Sequence, residues 1–241
     1  MFAFKLFGLV ILLLLALLAN STNSFAIANG PQRKSRSVRA HARPLTKAEI
    51  KEAQTRLAEM GYGRDGNALI TFQKYEGRKV TRQLTRSEYD AIISATAPQP
   101  RDAGYKHVEV DLDRQLLLLT DEEGAIKKIL PVSTGSNKHY REKKMSGLAY
   151  TPRGRFRIYA KMSGWRKSPL GLLYYPNYFS DGLAIHGNPS VPQTPQSHGC
   201  IRIPMSAAVA MSKAMPIGTI VLIYDKDSFV SAKDWADKDK Q

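Results

Sequence analysis

One cysteine in 241 residues leaves no partner for an internal disulfide. Exported proteins tend to use cysteines in pairs, so a lone thiol in an oxidising compartment points to chemistry rather than to a staple. No Cys-x-x-Cys or His-x-x-His spacing occurs, and the five histidines are scattered. That pattern implies no metal site. No glycine-rich phosphate loop is present, so neither a nucleotide nor any other cofactor is expected. The longest apolar run, Leu6 to Ala19, falls short of the roughly eighteen residues that a membrane span needs. Acidic residues are scarce: 21 against 36 basic ones, a formal charge of +15. Such a balance suits nucleic acid, an anionic membrane or an anionic polymer.

The N-terminus reads as an export signal over residues 1–26. Lys5 supplies a positive start, Leu6 to Ala19 an apolar centre, and Ser24-Phe25-Ala26 the small residues that a signal peptidase reads. Cleavage is expected after Ala26; an uncleaved anchor, with membrane attachment, is the alternative. No cysteine stands directly behind the apolar run, which excludes a lipidated N-terminus. Export across the inner membrane to the periplasm or cell wall argues against nucleic acid; an anionic polymer suits the charge, and a solvated surface that keeps the protein soluble is the other reading of each basic cluster.

Residues 27–45 are polar, basic and without periodicity, and read as a flexible tether. Residues 46–95 have helical character. Thr46 with Glu49 forms a capping box, and Ile50, Ala53, Leu57 and Met60 recur at helical spacing until Gly61. Ala68 to Tyr75 and Ser87 to Ile93 read as two further helices, with Ser87 a candidate cap. Residues 96–104 are rich in small residues and proline and read as a linker. Beyond them the period changes to two: Val108, Val110 and Leu112 alternate with polar residues. Leu116 to Leu119, Ile126 to Val132, Phe156 to Tyr159, Leu183 to Ile185 and Ile217 to Tyr224 complete at least six strands, with a turn at Asp121 to Gly124. Met205 to Met215 is the one helix of this half. The expected architecture is a small all-α three-helix N-terminal domain followed by a mainly β domain with one helix over 105–225. The charged tail, 226–241, carries Trp235, either docked or exposed.

Cys200 lies in Ser197-His198-Gly199-Cys200-Ile201-Arg202, with a second His-Gly pair at His186-Gly187. A buried structural cysteine attracts apolar neighbours, and these are not apolar. A free thiol has a pKa of about 8.5 and needs a base or a positive field to become a nucleophile. His186, at a strand end, is the candidate base. Its other ring nitrogen needs an acceptor, and Gly187 can offer only its carbonyl. His198 is the rival base, two residues from the sulfur, with loop positioning as its other reading. The backbone N–H groups of His198, Gly199 and Cys200 are candidate oxyanion donors. Arg202 follows Cys200 by two and so points to the same side of an extended stretch, where its guanidinium could hold a carboxylate or form an internal ion pair. Ser197 is expected to bond loop backbone and to border the substrate. His107 and His139 read as surface residues.

At these residues the chain resembles the L,D-transpeptidases, the YkuD family. His-Gly followed by Ser-His-Gly-Cys-Ile-Arg is the specific part. Thr151-Pro152-Arg153-Gly154-Arg155-Phe156 is similar to the family's T-P-x-G-x-F turn, and Gly218-Thr219-Ile220-Val221 to its closing strand. One departure is visible: the loop after His186 is short and carries Pro189, Pro192 and Pro195. The resemblance implies a β-sandwich-like YkuD fold, Cys200 as nucleophile and His186 as base. It implies stem peptides of bacterial peptidoglycan as donor and acceptor, with a protein lysine as another possible acceptor. Such chemistry serves peptidoglycan synthesis, wall organisation and cell shape. With water as acceptor the same site would be an L,D-carboxypeptidase; a wall-binding protein with an inert catalytic half is a third reading. Leu57, Gly61-Tyr62, Asp65-Gly66, Ala68-Leu69, Phe72-Gln73 and Leu84 resemble a small peptidoglycan-binding module. A helical spacer without ligand is the alternative for that segment.

Overall fold

A computed structural model describes residues 43–142 and 144–229. The expected export signal, nearly all of the tether and the tail past residue 229, with Trp235, lie outside the described residues.

Among the described residues three helices come first: α1 (Lys47–Glu59), α2 (Ala68–Tyr75) and α3 (Arg86–Ser94). Thr46 caps α1 with the reciprocal Glu49 box. Gly61 ends it at φ +89°, a conformation open to glycine. The cap of α3 is Thr85, whose hydroxyl accepts from the Glu88 N–H at 3.3 Å; Ser87 is not the cap but lies inside the first turn.

Twelve strands follow, twice the expected minimum. β1 (His107–Asp111), β2 (Leu116–Thr120), β3 (Ile126–Pro131), β6 (Gly154–Arg157) and β12 (Ile220–Tyr224) form one sheet in the order β3-β2-β1-β12-β6. Only the β1–β12 pairing in it is parallel. β7 (Ala160–Lys161), β8 (Trp165–Ser168), β9 (Gly171–Ser180), β10 (Leu183–Asn188) and β11 (Ile201–Pro204) form the second, with β10 and β11 parallel. β4 (His139–Glu142) and β5 (Met145–Leu148) make a separate hairpin. Helix α4 (Met205–Ala214) packs on β9, β10 and β11.

Alternation along the strands decides what each face meets. Val108, Val110, Leu117, Val221 and Ile223 of the first sheet join Phe179, Ile185, Ile201 and Ile203 of the second in one buried core, which Ala208, Met211 and Met215 extend. The other face of the first sheet is covered as well. Leu116, Leu118 and Ile129 share a second core with Ala53, Leu57, Met60, Tyr62, Phe72 and Ile92 of the helical segment. The Ile129 N–H donates to the Gly61 carbonyl at 2.8 Å. Each such large apolar side chain contributes roughly 1.5–3 kcal/mol on burial, so the helices depend on the sheet for much of their stability. The described residues all belong to one compact unit.

His107 departs from its expected surface position: it is fully buried. Its Nε2 lies 3.2 Å from Glu109 Oε1, and Tyr224 donates to Glu109 Oε2 at 2.9 Å. The segment before β1 folds over these polar groups, with the Asp102 N–H donating to Glu109 Oε1 at 2.8 Å.

Candidate active site

Strands β10 and β11 build the site. Ile185 pairs with Ile201 and His186 with Arg202. Because side chains alternate across a sheet, the isoleucines enter the core while His186, Arg202 and, two residues before it, Cys200 share the opposite side. All three line one cavity of about 460 Å³. Its walls are Tyr140 and Met145 of the β4–β5 hairpin, Arg166 to Leu173 of the β8–β9 hairpin, and Asp181 to Leu183.

Backbone straps hold the cysteine loop. The Ser197 N–H donates to the Thr134 carbonyl at 2.8 Å, and Ser133 and Arg202 exchange bonds of 3.1 and 3.0 Å. Thr151 Oγ1 donates to the Gly199 carbonyl at 2.8 Å, which ties the T-P-x-G-x-F turn to the motif. Gly199 has φ +133°, and a Cβ there would lie 2.7 Å from the Tyr150 carbonyl oxygen. Only glycine fits.

The Cys200 sulfur accepts the Ala184 N–H at 3.4 Å. Burial pushes its pKa up, while that N–H and the Arg202 charge pull it down. His186 is buried and its Nδ1 lies 2.9 Å from the Gly187 carbonyl. A carbonyl can only accept, so Nδ1 carries the proton and the lone pair is on Nε2. Burial, then the Arg202 charge, lowers the imidazole pKa to about 4 against the opposing Gly187 bond. The resting cavity is therefore lined by a neutral thiol and a neutral imidazole whose Nε2 lone pair is unprotonated.

His198 is turned elsewhere. Its Nε2 meets Glu142 Oε1 at 3.1 Å and its ring packs edge-on against Tyr140, so it joins the β4–β5 hairpin to the motif. Ser197 is buried: its hydroxyl donates to the Cys200 carbonyl at 2.5 Å and accepts from the Gly199 N–H at 3.0 Å. This corrects one expectation: the Gly199 N–H is spent within the loop and is not an oxyanion donor. Ser197 bonds loop backbone, as expected, and lines the cavity. The N–H groups of His198 and Cys200 meet no acceptor among the described residues. Arg202 is half-buried, and no carboxylate pairs with it among the described residues. Its guanidinium is available to a ligand. No three acidic, histidine or cysteine side chains gather as a metal site among the described residues.

Sequence reasoning missed both hairpins that wall the cavity. The basic clusters at Lys138–Lys144 and Lys161–Lys167 were their only signal, and Arg166 and Lys167 of the second line the cavity. Thr151 was legible as part of a turn but not as the ligand of the Gly199 carbonyl.

The family model of the L,D-transpeptidase catalytic domain (YkuD) matches residues 105–223. Among solved structures, the chain is similar to the L,D-transpeptidase from Xylanimonas cellulosilytica at 35% identity and a TM-score of 0.67, over 73% of this chain and 93% of that one. It is also similar to the L,D-transpeptidase (Yku) from Stackebrandtia nassauensis at 22% identity and a TM-score of 0.45, over 74% and 91% of the two chains. No curated protein matches significantly.

Proposed function

The chain belongs to the L,D-transpeptidase family, and from that premise we propose that it transfers peptidoglycan stem peptides through a thioester on Cys200. The observation that carries this reading is the convergence on one cavity of Cys200, His186 and Arg202, which meets no carboxylate among the described residues. The Cys200 proton passes to His186 Nε2 as sulfur attacks the carbonyl between the third stem residue, an L-centre, and D-alanine. The N–H groups of His198 and Cys200 face the developing oxyanion. The C–N bond breaks, D-alanine leaves with the proton from His186, and the thioester remains. An acceptor amine then gives its proton to His186 and attacks the thioester carbonyl, and the thiol is regenerated. Arg202 holds a donor carboxylate, in keeping with its free guanidinium.

An amine on a second stem, or a protein lysine, completes transfer; water as acceptor gives the L,D-carboxypeptidase reaction. The cationic wall of Arg166 and Lys167 suits an acidic peptide that carries the acceptor amine, which favours transfer. We propose export to the periplasm or wall, where this substrate is found. Incubation with purified muropeptides and mass spectrometry of the products tests the reading. Cross-linked dimers and free D-alanine are expected. Tripeptide alone would establish hydrolysis, and unchanged muropeptides would refute both.

A further inference from the structure

Lys74 is a buried lysine on α2 that the chemistry above does not use. Its ammonium donates to the Gln193 carbonyl at 3.1 Å and to the Gln115 carbonyl at 3.4 Å. No carboxylate meets it among the described residues. Burial alone lowers its pKa to about 8. A buried ammonium without a counter-ion is costly, and a methionine would fill the same space without that cost. Stability does not account for this lysine.

Its two acceptors do. Gln193 lies in the proline-bearing loop between His186 and Cys200. Gln115 sits in the left-handed region at φ 53° between β1 and β2. The Gln115 side chain donates to Thr134 Oγ1 at 2.8 Å and accepts from the Thr134 N–H at 2.9 Å. The Thr134 carbonyl in turn receives the Ser197 N–H at 2.8 Å, and the Ser197 hydroxyl holds the Cys200 carbonyl. Ser133 braces the same loop from beside Thr134: its hydroxyl donates to the Thr194 carbonyl at 2.9 Å and accepts from the Gln196 N–H at 3.2 Å. Both branches that leave the Lys74 ammonium end on the segment that carries the thiol.

We propose that Lys74 is a positioning residue for the transfer reaction: from the helical segment it fixes the Gln193–Cys200 loop through Gln193 and Gln115. The helical segment is then a buttress of the active site, whatever else it binds. The proposal rests on the function argued above only for its kinetic consequence; the loop geometry can be read without turnover.

The test uses the full chain and Lys74→Met. Turnover of a tetrapeptide donor should fall about tenfold in kcat with KM changed less than about twofold, because misplacement of the nucleophile affects the chemical step. The Ser197 amide should exchange with deuterium about tenfold faster, while amides of the β1–β12 ladder keep their protection. A stability change with kcat and Ser197 exchange both unaltered would overturn the proposal. If the variant does not fold, the unaltered protein decides. Once the ammonium is titrated, its charge-assisted bonds weaken. Ser197 protection, relative to the ladder amides, should therefore drop between about pH 7 and 9.5, and a flat profile would overturn the proposal. Absence of turnover in the unaltered protein would refute the proposed function and leave the exchange result to judge Lys74.

Discussion

His186 and Arg202 are direct register partners across the parallel strands β10 and β11, on the cavity side. The arginine charge lowers the pKa of His186 and also that of Cys200. Burial does most to keep the base neutral; the same cation adds to that effect and offsets part of the burial that pushes the thiol pKa up.

Arg202→Met should slow alkylation of Cys200 at neutral pH and shift its pH profile to higher pH. It should also raise KM for a donor with a free carboxylate roughly tenfold, the scale of one lost charge-assisted hydrogen bond. KM for an amidated donor should be nearly indifferent to the change. Equal losses for both donors would place the carboxylate elsewhere.

His186→Ala should reduce the alkylation rate of Cys200 far more than His198→Gln, by about 100-fold against a few-fold. His186 lines the cavity with its Nδ1 held by the Gly187 carbonyl and its Nε2 left as the basic nitrogen, whereas His198 is engaged by Glu142. Reversed effects would transfer the role of base to His198.

His186 also links stability to pH. Its folded pKa, about 4, lies below the ordinary value of 6.5. Between these values the unfolded chain binds more protons than the folded one, so stability rises with pH across the window and falls as pH drops through it. The full effect is roughly 3 kcal/mol. Urea unfolding of the native protein and of His186→Gln at pH 4 and pH 7 measures it. The variant should lose most of the difference between the two pH values, and an unchanged difference would assign it to other groups.

Gly199→Ala forces a side chain onto φ +133° and against the Tyr150 carbonyl. Displacement of the loop should abolish turnover and cost about 1–3 kcal/mol of stability. Gly182→Ala, with φ +77° and open space around it, offers a comparison in which strain occurs without a clash. Thermal unfolding of both, together with turnover, separates strain from misplacement of the thiol.

The sequence made the centre of this site visible because its parts are close in the chain. Alternation placed Cys200 and Arg202 on one side, and the missing side chain of Gly187 left only a carbonyl to orient His186. The alternating strand β1, the strongly apolar strands β2 and β12 and the helix α4 were equally legible. The β4–β5 and β8–β9 hairpins were not, because strands such as Trp165–Ser168 are largely exposed and carry no apolar–polar alternation. His107 was misread because Thr120 from β2, and Tyr224 of β12 through Glu109, close its polar surroundings, and no local pattern encodes their approach. Lys74 lies 119 residues from Gln193, and nothing in its own neighbourhood signals that bond.

The central claim is a thioester on Cys200. Intact-mass spectrometry of the protein mixed with a tetrapeptide donor, without acceptor amine and quenched in acid, tests it most directly. A covalent adduct equal to the donor minus D-alanine should appear, map to Cys200 and vanish in Cys200→Ser. Release of D-alanine with no adduct in the native protein, or with undiminished rate in Cys200→Ser, would contradict the account.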